Sequence, residues 1–194
     1  MKDRVTIHSV ETLSRRWARL ERYVIDYRRR DGRIDRLVRE VHDHGHGATV
    51  LPYDQARGTV LLVRQFRLPA FLAGGDGNLI EACAGLLDGN QPMECARREA
   101  AEELGVNVRN LRQVASTFMS PGAVTERITL FLADYGAADR FGEGGGHEHE
   151  GEDIEVLELP FDEARHLLRS GGIIDAKTAM LVMFMERELG LPPL

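Results

Sequence analysis

The sequence predicts an α/β fold, a mixed sheet packed by helices with a small antiparallel β element at the N-terminus. Three observations predict it. Strand-length runs of branched apolar residues recur between Ala48 and Tyr135, a helix-forming segment from Pro92 to Leu104 interrupts them, and two helical patterns follow Phe161.

From Val5 to Val41 short apolar groups alternate irregularly with charges. "YVIDYRRRDGRIDRLVREV" reads as two strands around a turn at Asp31-Gly32. A lone hairpin is marginal in water, so this N-terminal β region, residues 1–44, must pack on another subunit or on the main domain, residues 45–194. "ATVLPYD" and "GTVLLVRQFR" are the next strands; in the second, Leu61 and Val63 leave little polar contrast with Val60 and Leu62. "LPAFLAGGDGN" reads as a glycine-rich loop and "LIEACAG" as one short strand. "LRQVASTFM" and "TERITLFLADY" form a strand pair joined by "SPGAV", and "DIEVLEL" is a last strand. Helices are expected near Phe161 to Arg169 and Ala176 to Leu189. "GAADRFGEGGGHEHEGED" has little apolar material and is expected to be mobile.

With 194 residues, one substantial domain with an appendage is favoured over two independent ones. Apolar residues make up 43% and charged residues 29%, which excludes wholesale disorder. The formal charge is −6, from 25 Lys plus Arg against 31 Asp plus Glu, and gives no reason to expect nucleic-acid or membrane-surface binding. A local patch or bound cation still permits an anionic small molecule. Cys83 and Cys95 form neither a disulfide framework nor a metal motif and read as small core groups. No signal-peptide run or membrane-length stretch occurs, so cytoplasmic residence is the expectation.

The segment "GLLDGNQPMECARREAAEELG" carries the chemistry. Pro92 suits an early helix position, and a period of 3.6 puts Met93, Ala100 and Leu104 on a packing side, with Glu99, Glu102 and Glu103 on a neighbouring exposed side. Glu99 and Glu103, four residues apart, point toward one volume at a cost of a few tenths of a kcal/mol in water, and more in a dry site. A divalent cation offsets that repulsion. Arg98 can bridge to Glu102, which leaves Glu99 and Glu103 as the stronger ligand candidates. A solvated acidic surface is the commoner explanation of such a helix.

This segment resembles the signature of the Nudix hydrolases, which cleave nucleoside diphosphates joined to another group. The match includes Gly85, Arg98, Glu99, Glu102, Glu103 and Gly105. Two departures stand out: the interval from Gly85 to Gly105 is one residue shorter than the usual signature, and Gln91 occupies a position where Glu is common. "RQFR", "LIEACAG", "MSPGAVTE", "EDIEVLELPF" and "IIDAKT" are similar to the GDP-mannose pyrophosphatase branch, itself similar to the ADP-ribose pyrophosphatases.

The resemblance implies an alpha/beta/alpha sandwich with Mg2+, or Mn2+, held by the Ala84 carbonyl, Glu99, Glu103 and Glu152. Glu99 and Glu103 would be the metal scaffold; Glu152 is favoured over Glu103 for the base-like role. It also implies substrate recognition by Trp17, Arg39, Glu40, Arg67, Glu126 and Lys177, with Arg67 as a phosphate clamp. The plain alternatives are that Trp17 packs the N-terminal sheet, that Arg39 and Glu40 pair with each other, and that Lys177 is a solvated helix residue. A homodimer exchanging the N-terminal region is a further implication. His42, His44 and His46, like His147 and His149, read as surface or core-edge side chains without a tetrahedral ligand set. The expected activity is hydrolysis of GDP-mannose to GMP and mannose 1-phosphate. ADP-ribose hydrolysis to AMP and ribose 5-phosphate is the enzyme alternative, and an inactive nucleotide-binding module is the alternative of another class.

Overall fold

The computed structural model describes residues 2–147 and 151–192. It divides into two compact units, Met1–His46 with Phe118–Arg127, and Gly47–Thr117 with Ile128–Leu194.

The first unit is built on a three-stranded antiparallel sheet, β1 (Val5–Arg15), β2 (Arg19–Arg28) and β3 (Ile34–Asp43), in the order β1-β2-β3. The expected hairpin is β2 and β3, with Gly32 at φ 88 in its turn, a conformation glycine adopts without steric cost. β1 is a third strand that the period-two pattern does not reveal. Its pairing with β2 shifts between Ile7 and Ser9 and again between Thr12 and Ser14, and each shift changes which parity of residue faces a given side. Val5, Ile7, Val10 and Leu13 therefore look irregular in sequence, and all four are exposed within the chain. The 118–127 segment is pinned to the end of β3 by His42 N–H to Ala123 O (2.8 Å), Thr125 N–H to His42 O (3.0 Å) and Thr125 Oγ1 to Asp43 Oδ1 (2.8 Å).

The second unit holds a seven-stranded mixed sheet among the described residues. β4 (Gly47–Asp54) and β5 (Thr59–Phe66) begin as a hairpin, pairing at Tyr53 with Val60 and Asp54 with Thr59. They then diverge. The expected single strand over "LIEACAG" is two: β6 (Asn78–Glu81) pairs with β5, and β7 (Cys83–Leu86) pairs with β4. The break is at Ala82, whose N–H donates to Thr178 Oγ1 at 2.7 Å. The main path runs β10 (Glu155–Pro160), β5, β4, β9 (Arg127–Asp134), β8 (Arg109–Phe118), with β4 and β9 parallel. "LPAFLAGGDGN" is not wholly loop: Leu68–Leu72 form a one-turn helix, α1, too short to show amphipathic periodicity.

Helix α2 (Pro92–Leu104) packs on β7, β4 and β5, while α3 (Phe161–Ser170) contacts β10 and β5, and α4 (Ala176–Glu188) contacts β4. Strand alternation distributes the core between the two faces. Ala48, Val50, Leu61, Val63, Phe131 and Ala133 join Cys95, Ala96, Ala100 and Leu104 in one cluster, and the intervening Leu51, Val60, Leu62, Leu130 and Leu132 face the other way. A strand buried on both faces has no polar residues to alternate with, which explains the weak contrast of "VLLV".

α2 ends at Gly105 with φ 64, and a methyl group there would lie 2.4 Å from Gly142 O. Gly105→Ala is expected to lower stability by more than about 1 kcal/mol in urea unfolding. An unchanged midpoint would contradict this account of the helix end.

Candidate functional site

The site is built around α2. Cys95, Ala96, Ala100 and Leu104 are fully buried and dock the helix on the sheet. Glu99 and Glu103 lie toward the same side, 7% and 2% exposed, whereas Met93 is 44% exposed. Expecting the glutamates on an exposed side and Met93 on the packing side was therefore incorrect. Helical periodicity fixes which residues share a face, but hydrophobicity alone does not say which face a strand will cover.

Gly85 in β7 makes room for Glu99: a methyl group at this position would lie 1.9 Å from Glu99 Oε1. Here glycine is needed for close approach, since its φ is not positive. Glu99 Oε1 is 2.7 Å from Arg98 Nη2, and Arg98 Nη1 donates to Glu102 at 3.0 Å, so Arg98 bridges both carboxylates. Glu103 Oε2 accepts from the Ala84 N–H at 3.3 Å. Among the described residues, no Lys or Arg lies within ion-pair distance of Glu103. Burial, reinforced by the charges of Glu99 and Glu152 against the opposing influence of the Cys83 thiol and the Ala84 N–H, raises its carboxyl to about 8.

The glycine-rich segment is fastened to this helix. Gly145 N–H donates to Glu103 O (2.9 Å), Gly146 N–H to Glu102 O (3.2 Å), and Phe141 N–H to Gly105 O (3.0 Å). The final carbonyls of a helix need outside donors, so the segment expected to be mobile supplies structure over Phe141–Gly146. Glu152 Oε2 accepts from His147 N–H at 2.9 Å, and His147 Nε2 lies 3.5 Å from Glu102. His149 lies outside the described residues. Among the described residues, no three His, Cys, Asp or Glu side chains converge as a ready ion cage.

Arg67 and Lys177 meet at Glu81. Arg67 donates through Nε (2.8 Å) and Nη2 (3.1 Å) to the two Glu81 oxygens, and Lys177 Nζ lies 2.5 Å from Oε2 and 3.0 Å from Asp175. Lys177 is 8% exposed, so it is not a solvated helix residue. Burial alone would raise the Glu81 carboxyl, but the Arg67 hydrogen bonds and the charges of Lys177 and Arg67 hold it below the usual range.

The remaining candidates lie in the first unit. Trp17, in the β1–β2 turn, is 77% exposed and stacks on His44. Arg39 Nη1 donates to Val38 O (2.7 Å), and in the β2–β3 register Arg39 lies opposite Tyr23 and Glu40 opposite Arg22. Glu126 lies 3.9 Å from His44 Nε2.

The NUDIX domain model matches residues 43–179. The chain is a Nudix hydrolase. A second model, the GDP-mannose pyrophosphatase NudK N-terminal domain, matches residues 4–42 and places this Nudix hydrolase in the GDP-mannose pyrophosphatase branch. Curated relatives agree. The GDP-mannose pyrophosphatase of Pectobacterium atrosepticum is 49% identical over 94% of both chains. Those of Salmonella typhimurium and Escherichia coli O1:K1 are 45% and 43% identical over 96% of this chain and 97% of theirs. A solved structure titled as an ADP compounds hydrolase superposes with TM-score 0.75 over 96% of this chain and 95% of its own, at 21% identity, which speaks for the fold. As a Nudix hydrolase, the protein cleaves a diphosphate linkage of a nucleotide substrate.

Sequence reasoning passed over Glu81 and the contacts of the two thiols. Cys83 is buried where its thiol influences the Glu103 carboxyl, and Cys95 Sγ lies 3.9 Å from Glu99 Oε1. Glu81 carried a signal: a carboxylate inside an apolar strand needs a cation partner. Glu81→Gln leaves Arg67 and Lys177 without their shared anion and is expected to cost about 3–5 kcal/mol in chemical denaturation. Because the folded Glu81 carboxyl is held low, its contribution is present above the unfolded value and lost as pH falls through the folded one. Loss of stability at low pH should therefore be smaller in the variant; an equal acid loss and unchanged neutral stability would contradict the network.

Proposed function

We propose that this Nudix hydrolase acts on GDP-mannose, releasing GMP and mannose 1-phosphate. The observation that carries the reading is the burial of Glu99 and Glu103 together against Gly85 and Ala84. The choice of substrate is supported by relatives named GDP-mannose pyrophosphatases that align over nearly the whole chain.

The residues fit a divalent cation. Glu103 is a buried carboxylate raised to about 8 beside two other acids, a state that a positive charge relieves, and an all-oxygen donor set suits Mg2+ or Mn2+. Glu99, Glu103 and the Ala84 carbonyl would hold it, with Glu152 joining by giving up its bond to the His147 amide. When bound, such an ion neutralises phosphate charge and favours hydroxide formation from water.

The chain's own groups do the rest. Arg67, oriented by Glu81 through Nε and Nη2, retains Nη1 to donate to a phosphate oxygen. Glu152 takes the proton as water adds to phosphorus and the bridging P–O bond breaks. Lys177 acts through Glu81, the carboxylate that orients Arg67, and within the first unit Trp17, Arg39, Glu40 and Glu126 are the groups assigned to nucleotide-sugar recognition; the carboxylate scaffold itself is indifferent to base and sugar.

Parallel initial rates should give a higher kcat/KM for GDP-mannose than for ADP-ribose, and the reverse order would overturn the named substrate. Glu103→Gln should lower kcat by roughly 10²–10³-fold. Glu152→Gln should slow the single-turnover step at saturating Mg2+; unchanged chemistry would remove Glu152 from the base role.

A further inference from the structure

Trp17 is the only tryptophan of the chain, and it is held in an unusual way. An indole with 77% of its surface exposed would ordinarily sample several rotamers, yet its ring lies against the His44 imidazole with centroids 5.3 Å apart and planes 21° from parallel. His44 has the contrasting environment. Its side chain is 15% exposed, its Nε2 lies 3.9 Å from Glu126 Oε1, and the His42 ring tilts against it at 5.5 Å. Its Nδ1 is buried and has no hydrogen-bond partner among the described residues, so the ring keeps an orientation that serves the stack and the carboxylate at the expense of one of its own nitrogens.

The backbone around His44 is fixed on both sides. Asp43 accepts from Arg19 Nη2 (2.6 Å), Thr125 Oγ1 (2.8 Å) and Gly45 N–H (3.1 Å), and His46 Nδ1 accepts from Arg127 N–H at 3.2 Å. His44 thus joins the β1–β2 turn that carries Trp17 to the 118–127 segment that carries Glu126, all within one unit.

We propose that His44 is a positioning residue for substrate binding, its ring clamping the Trp17 indole so that the outer face of the indole is presented as a stacking surface for the nucleobase. The inference rests on the reading that Trp17 contacts the nucleotide sugar. A base stacked on an indole needs no particular hydrogen bonds, but it does need a plane already in place. Pre-ordering that plane lowers the entropy lost on binding and leaves the bond-breaking step untouched, so the effect belongs in KM.

The test uses the full-length enzyme with GDP-mannose and the variants His44→Ala, His44→Phe, Trp17→Ala and the Trp17→Ala/His44→Ala pair. His44→Ala should raise KM about tenfold with kcat within about twofold, and the fluorescence anisotropy of Trp17 should fall as its ring is released. His44→Phe, which restores a flat ring, should recover most of both readouts. In the Trp17→Ala background, His44→Ala should add less than about a twofold change, because the two act as one unit.

The two levels of the argument fail differently. If Trp17→Ala leaves KM unchanged, the substrate reading of Trp17 falls and the inference falls with it, whatever the anisotropy shows. If Trp17→Ala raises KM but His44→Ala changes neither KM nor anisotropy, only the clamp is overturned. An undiminished His44→Ala penalty in the Trp17→Ala background, or no recovery in His44→Phe, also overturns it, since either result marks a general structural role.

Discussion

Two carboxylates, Glu99 and Glu103, are taken out of water side by side, and much of the second unit is arranged around that cost. Raising the Glu103 carboxyl to about 8 from an ordinary 4.5 corresponds to on the order of 5 kcal/mol against the charged form. A fold does not keep such a group for stability alone. The β4–β5 divergence, the break at Ala82 and the missing side chain at Gly85 all serve to bring β7 under α2, where the glutamates meet it.

The same constraint accounts for the neighbours. Arg98 reaches Glu99 and Glu102 from the water-exposed side and stops short of neutralising Glu103. The glycines of 142–146 come close enough to supply N–H groups to the last carbonyls of α2, bringing Glu152 into the electrostatic surroundings of Glu103. On another part of the sheet the balance is opposite: Glu81 is buried but surrounded by Arg67 and Lys177, so it stays charged. Two buried glutamates in one domain thus have contrasting titration behaviour, set by the presence or absence of fixed cations.

Much of this was legible in the sequence because several signals are local. Pro92 and Gly105 bound the glutamate helix, the four-residue spacing pairs Glu99 with Glu103, and the strand runs are long and branched. What was not legible depended on partners distant in sequence. The exposure of α2 could not be read, because the strand that covers its glutamates is recognised only through a missing side chain at Gly85. β1 was hidden by two register shifts, and the burial of Lys177 could not be read because its partner Glu81 is 96 residues away. The stack of Trp17 on His44 likewise joins residues from a turn and a strand end, which no periodicity links.

The most direct measurement is the pH dependence of thermal stability in chelator, repeated with Mg2+. A carboxyl raised on folding stabilises the protein below its unfolded value, and that stability is lost as pH rises through the folded value. Without metal, Tm should therefore fall between about 4.5 and about 8 through this group, and Mg2+ should restore it most strongly at the alkaline end, where the carboxylate is charged. Both effects should be largely absent in Glu103→Gln. An alkaline Tm indifferent to Mg2+, or a Mg2+ response of equal size in the variant, would contradict the account.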